Sequence, residues 1–346
     1  MGLEEPLTSN KTKRLETKKE IPVKMGVDPN TLRFLLSASK RGINFGRLAT
    51  IGRHQMHCRQ RHVWAAAREF GLACDVEQVL TRSCGGYAEP LWAAMGAQEI
   101  VSIDASDYEG ASIVHDMNDP IPDGLRCRFD AVFDLGSLEH IFNFPVAIKN
   151  CMEMPVIGGR IFAVLPASNY CGHGFYQFSP DLFYRTLNSD NGYHIERMLL
   201  AESGADARWY TVPDAAAVRQ RTMYSAPGRF VLMIEAVRQR DVPLLQKWPQ
   251  QSDYELQWSG TGVRRSYRDE SGLGRALGSA GMALERSFPP IHTITSAMRN
   301  AYLRMALVRA ALSGRIISET IRPVKHHAAE ITVNEVMPGN TEGHDR

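Results

Sequence analysis

Three short apolar segments in the middle of the chain are spaced by helix-like stretches, and two of them end on a carboxylate. Ile100–Ile103 runs into Asp104, Ala131–Phe133 runs into Asp134, and Arg160–Leu165 follows the pair Gly158-Gly159, while Asp116 lies between the first two. Apolar runs of this length, bounded by turn residues, are strand-like. Strands that alternate with helices bury both faces of a sheet, so the order predicts a doubly wound, mostly parallel α/β fold. In such a sheet ligands bind beyond the carboxyl ends of the strands. An acid at a strand end therefore aims hydrogen-bond acceptors into that crevice. The spacing suits a nucleoside, with one acid for the ribose hydroxyls and another near the base.

The flanking sequence extends the alternation. Pro29 opens a helix that ends at Gly42, and Arg47–Ile51 reads as a strand stopped by Gly52. Residues 59–71 are helical by pattern, with Val63, Trp64, Ala67 and Phe70 on one face, and Tyr87–Ala97 forms a helix leading into the strand that ends at Asp104. Pro145–Met154 and Ser179–Leu187 are further helices, and His194–Leu200 and Arg229–Val237 are two more strands, a final pair suited to an antiparallel edge. Residues 1–24 are polar and mixed in charge, a disordered arm. Residues 25–240 form the α/β domain. Residues 241–346 are a C-terminal extension with a basic amphipathic helix over 299–322 and a disordered tail. That helix interleaves Arg304, Arg309 and Arg315 with apolar positions and ends at Pro323, a pattern able to meet a membrane surface peripherally.

Composition narrows the function classes. A net charge of +2 over 346 residues gives no general argument for nucleic acid, and the one aromatic and basic cluster, over residues 253–268, is not enough to make one. The six cysteines form no CxxC pair or zinc-finger spacing, which suits reduced thiols in a cytoplasmic protein. The amino terminus carries no signal-like apolar run, and no stretch approaches the ~20 apolar residues of a membrane span.

Taken together, residues 46–237 resemble the class I S-adenosylmethionine-dependent methyltransferases, with their seven-stranded Rossmann-like sheet. The resemblance implies S-adenosyl-L-methionine as cofactor. It puts Asp104 on the ribose hydroxyls, Asp116 and the Met117 backbone amide at the adenine, and Asp134-Leu135-Gly136 along the cofactor where it opens onto the substrate. The glycine-rich first motif is degenerate. Gly52 follows a convincing strand but lies far upstream of Asp104, whereas Gly85-Gly86 has the better spacing behind a poorer strand. Gly52 is the favoured end of the first strand, with the residues between forming an insertion.

Methyl transfer from a sulfonium needs alignment and, for a hydroxyl acceptor, removal of a proton. His140, just past the fourth motif, and His173 and Tyr176, in a glycine-flanked loop after Leu165, are the catalytic candidates. Each also has a plainer reading, as a group that holds its loop in place. The Glu139-His140 pair resembles the metal-binding pair of some quinone-pathway O-methyltransferases. Those enzymes carry another carboxylate three positions earlier, where Gly136 stands here, so no metal is expected. The acceptor expected is a small molecule or glycan-type intermediate, methylated at oxygen or nitrogen. The alternative is a catalytically silent relative that keeps the fold as a binding or scaffolding module. A nicotinamide dehydrogenase would need a GxGxxG turn that the chain lacks.

Overall fold

A computed structural model of the chain describes residues 26–204, 207–222, 224, 228–260 and 322–323. The Asp28 side chain accepts from Thr31 N at 2.8 Å and Pro29 fills the first turn, so α1 (Pro29–Lys40) starts where its caps dictate. After β1 (Arg47–Ile51) come α2 (Gln60–Phe70), α3 (Cys74–Arg82) and α4 (Glu89–Ala94), the insertion that returns to the sheet at β2 (Glu99–Asp104). Then follow β3 (Ile113–Val114), β4 (Phe129–Asp134), α5 (Phe144–Glu153), β5 (Pro155–Ser168) and α6 (Pro180–Thr186). The chain continues through β6 (Tyr193–Glu202), β7 (Trp209–Thr211), α7 (Ala215–Val218), β8 (Phe230–Arg238) and α8 (Ser252–Trp258), and β9 (Arg322–Pro323) is the last described strand.

Among the described residues the strands form one nine-stranded sheet in the order β3-β2-β1-β4-β5-β8-β6-β7-β9. Strands β1 to β5 are parallel, and the order reverses between β1 and β4, the topological switch of a doubly wound Rossmann-like sheet. β6 and β8 pair antiparallel, as the sequence predicts for the final two strands. β8 is not itself an edge strand, however. It lies between β5 and β6, antiparallel to both, and the short β7 and β9 continue the antiparallel side outward. Burial explains the placement. Phe230 to Ala236 are all buried, so an edge position would expose apolar surface and an unpaired backbone.

Alternate residues feed two cores, one on each face of the sheet. Val132, Ile161, Leu165, Leu232 and Ile234 join α5 and α6 residues on one side. Leu48, Phe133, Phe162, Val164 and Met233 join α1, α2 and α4 on the other, where Phe45, Phe133, Phe162 and Trp92 pack edge to face. The α2 face differs from expectation. Val63, Ala66, Ala67 and Phe70 are buried, whereas Trp64 is 46% exposed, because positions 63, 66/67 and 70 follow the helical repeat and 64 falls outside it.

A buried ion cluster crosses the second core. Glu235, fully buried, pairs with Arg41 at 2.5 Å, Arg160 at 3.0 Å and Arg197 at 2.6 Å, linking α1, β5, β6 and β8. Packing also continues past residue 240. Leu244 is buried in the first core, Ser252 N donates to Asp181 Oδ2 at 3.0 Å, and Arg221 pairs with Asp253. The arm over 1–24 and the basic helix over 299–322 fall outside the described residues, apart from Arg322, and so does the part of the 253–268 cluster beyond Gly260. No helix among the described residues is long and apolar enough to cross a membrane.

Candidate functional site

The carboxyl ends of β1, β2 and β4 meet at the switch. Gly52 has φ +76°, and its N–H donates to Ile103 O at 2.7 Å, carrying the β1–β2 pairing one residue beyond the strand. A Cβ on Gly52 would stand 3.1 Å from Ser137 Oγ and 3.8 Å from Asp104 Oδ2, so three strand-end loops converge on this glycine. Gly85 and Gly86 lie one layer back, bonded to both backbone groups of Met56. Of the two candidate glycines, Gly52 closes β1.

Two residues absent from the sequence reading hold that turn. Ser137 Oγ donates to Ile51 O at 2.7 Å, and the buried His54 lies 3.0 Å from the same carbonyl through Nε2. A carbonyl only accepts, so Nε2 carries a proton. Burial pushes its pKa down to about 4. Arg53 bridges the loops after β1 and β2: it pairs with Glu89 at 2.6 Å, donates to Glu109 O at 2.8 Å and covers the Tyr87 ring.

Asp104 is partly exposed at the end of β2, and among the described residues its carboxylate accepts only a long bond from Ser106 N, at 3.4 Å. Its backbone oxygen accepts from His115 N at 2.8 Å, which sets Asp116 beside it. Asp116 is exposed. Its Oδ1 accepts from Asn118 N at 2.9 Å and Asn118 Nδ2 at 2.7 Å, bonds that hold its carboxyl below the usual carboxylate range. Met117 buries its side chain in the first core and its oxygen accepts from Asn150 Nδ2, which also donates to Asp119 O. Asn150, on α5, thus pins the loop next to Asp104; a lone Asn on an apolar helix face was the available signal.

Asp134 ends β4 at 1% exposure and caps the next turn, its Oδ1 accepting from Ser137 N at 2.9 Å. Its pKa is raised well above the ordinary value, by burial first and then by the charge of Glu139. Leu135 packs its side chain into the second core, so only its backbone faces the strand ends. Glu139 is fully buried, and among the described residues neither carboxylate oxygen has a hydrogen-bond partner. His173 Nε2 lies 3.4 Å and His140 Nε2 3.8 Å from Glu139 Oε1, and the two imidazoles meet edge to face at 4.9 Å.

The loop carrying His173 reaches Glu139 because position 174 is glycine. Gly174 has φ +69°, and a Cβ there would come within 2.8 Å of Glu139 O. With that approach possible, Phe175 N donates to Glu139 O at 2.7 Å. Of the three catalytic candidates, His140 and His173 are brought together. Tyr176 takes the role of a tie: its hydroxyl donates to Phe142 O at 2.7 Å, joining the two loops. Phe142 and Phe175, both more than two-thirds exposed, form an aromatic pair beside them.

No family model matches the chain, and no curated protein matches it. The chain is similar to several solved structures. They include 1,6-didemethyltoxoflavin-N1-methyltransferase from Burkholderia thailandensis, crystallised with S-adenosylhomocysteine (10% identity over 60% of this chain and 79% of that one, TM-score 0.31). The N-methyltransferase NodS from Bradyrhizobium japonicum is 12% identical over 61% of this chain and 96% of its own, with a TM-score of 0.32. The branched-chain polyamine synthase from Thermus thermophilus is 13% identical over 66% and 63%, with a TM-score of 0.32.

Proposed function

We propose that the chain binds S-adenosylmethionine across the ends of β1, β2 and β4 and methylates an oxygen or nitrogen of a small-molecule or glycan-type acceptor. The observation that carries this reading is the convergence of Gly52, Asp104 and the Ser137 turn at the switch point of the sheet. Gly52 leaves the backbone open to a ligand where a side chain would strike Ser137. Asp104 retains acceptor capacity for the two ribose hydroxyls, since its only described hydrogen bond is long. Asp116 spends Oδ1 on Asn118 and offers Oδ2 to the adenine amino group, next to the Met117 amide. The backbone of Asp134, Leu135 and Gly136 lines the passage to the acceptor.

When bound, the cofactor supplies an electrophilic methyl carbon. The protein's work is to aim an acceptor lone pair at it and to manage the acceptor's proton. His140 and His173, with Glu139 behind them, stand on the acceptor side and activate it. Phe142 and Phe175 give that side an apolar rim for a flat or partly apolar acceptor.

Calorimetric titration with S-adenosylmethionine and S-adenosylhomocysteine tests the reading, and absence of heat with both in a folded sample refutes it. Arg53 favours one alternative. It ties the loops after β1 and β2 together, a fixed arrangement that a silent binding module would tolerate. Transfer of labelled methyl into a pool of small molecules separates the two.

A further inference from the structure

We propose that Glu139, His140 and His173 form a site for a first-row divalent transition ion, with a coordination position left open toward the acceptor. Their ligand atoms all lie within 4.8 Å of one another. The two contacts to Glu139 Oε1, 3.4 Å from His173 Nε2 and 3.8 Å from His140 Nε2, are too long for good hydrogen bonds. They are close to the separation of two ligands that share an ion at ~2.0–2.2 Å from each.

The stronger argument is the unmet need of Glu139. Its side chain is fully buried, and among the described residues both oxygens lack a hydrogen-bond partner, as does the buried Nε2 of His173. A buried carboxylate left this way costs several kcal/mol unless a cation compensates it. Among the described residues no Lys or Arg pairs with Glu139. An ion between the three groups would satisfy the Glu139 carboxylate and two ring nitrogens at once, through one ligand atom from each residue.

The donor set selects the ion. Two imidazoles and one carboxylate suit Zn2+ and its first-row neighbours, whereas Mg2+ and Ca2+ prefer all-oxygen shells. Three protein ligands leave a position for water or substrate, and the half-exposed His140 side chain marks the open side. Gly136, where a carboxylate would otherwise be sought, gave reason to expect no metal. The third ligand comes instead from the loop after β5, through the close approach that Gly174 allows.

The role of the ion rests on the methyl-transfer reading. An acceptor hydroxyl bound to the ion is acidified and releases its proton to solvent. The oxygen lone pair then forms the new bond to the methyl carbon, while the carbon–sulfur bond breaks and its electron pair returns to sulfur. His140 and His173 thereby activate the acceptor as ligands rather than as bases.

The test titrates chelator-treated full-length protein with Co2+, read by visible absorption and calorimetry, followed by displacement with Zn2+. One equivalent of Co2+ is expected to bind, with its colour removed by Zn2+. His140→Ala and His173→Ala should each weaken binding by at least ~100-fold, since even the groups that merely orient ligands are worth 10–100-fold. His194→Ala, at an exposed histidine on β6, should change nothing. Absence of stoichiometric binding in the parent protein overturns the site, as does Co2+ affinity that survives in both histidine variants while circular dichroism shows them folded. S-adenosylhomocysteine titrated into the same samples keeps the two ideas apart. Metal bound without the nucleoside removes the methyltransferase reading and leaves the site, and the converse removes the site alone.

Discussion

Replacing Asp104 with alanine tests the cofactor reading most directly, because binding and folding predict different responses. Among the described residues the carboxylate accepts only a 3.4 Å bond from Ser106 N, and it is partly exposed. Its loss should therefore change unfolding free energy by no more than ~0.5 kcal/mol, as for an ordinary surface substitution. On the proposed reading the same carboxylate accepts from the ribose hydroxyls in the complex, and a hydrogen bond to a charged group is worth ~1.5–3 kcal/mol. That energy corresponds to a dissociation constant raised ~10- to 150-fold. Asp104→Asn, which keeps the shape and one acceptor, should fall between. S-adenosylhomocysteine calorimetry gives the affinity and urea unfolding gives the stability. Affinity within ~2-fold of the parent, in a variant of parental stability, would show that Asp104 holds no ribose and that the nucleoside site is misplaced.

Three further outcomes follow from other parts of the structure. Glu235→Ala leaves Arg197 buried without its counter-charge and should cost ~3–5 kcal/mol in urea unfolding; a loss below ~1 kcal/mol would mean that solvent reaches the cluster. Gly174→Ala puts a Cβ 2.8 Å from Glu139 O at φ +69°, so it should abolish Co2+ binding and methyl transfer while S-adenosylhomocysteine affinity is retained, and wild-type Co2+ binding would refute the docking role of this glycine. His54 makes stability pH-dependent in one direction. Its folded pKa is about 4 against 6.5 for the free side chain, so its contribution is complete above 6.5 and lost as pH falls toward 4. The loss totals ~3 kcal/mol, flattens below the folded pKa and should be missing from His54→Gln; parallel pH slopes in the two proteins would contradict it.

Much of the core was legible before any coordinate. The runs around Leu48, Ile103, Val132 and Phe162 are strands in the expected order, and helices open at Pro29 and at Ser179 as the sequence reads. Those features are local: a strand or cap declares itself within a few residues through side-chain period and backbone hydrogen bonding. The two-residue β3 and the three-residue β7 are too short to carry a period, and sheet pairing alone makes them strands. Glu235 was visible as a single acid within the most apolar strand. Its three arginine partners lie as many as 194 residues away, on elements brought together only by the sheet.

The chain order of strands, helices and terminal acids determined a doubly wound sheet with its ligand edge at Gly52, Asp104 and Asp134, since short-range periodicity and turn chemistry act within each segment. The tertiary structure decided that β8 lies inside the sheet, that Ser137 and His54 hold the β1 turn, and that His173 reaches Glu139. Those relations depend on the parallel pairing of β4 with β5 and on the space a missing Cβ leaves at position 174, neither of which has a signature in neighbouring residues.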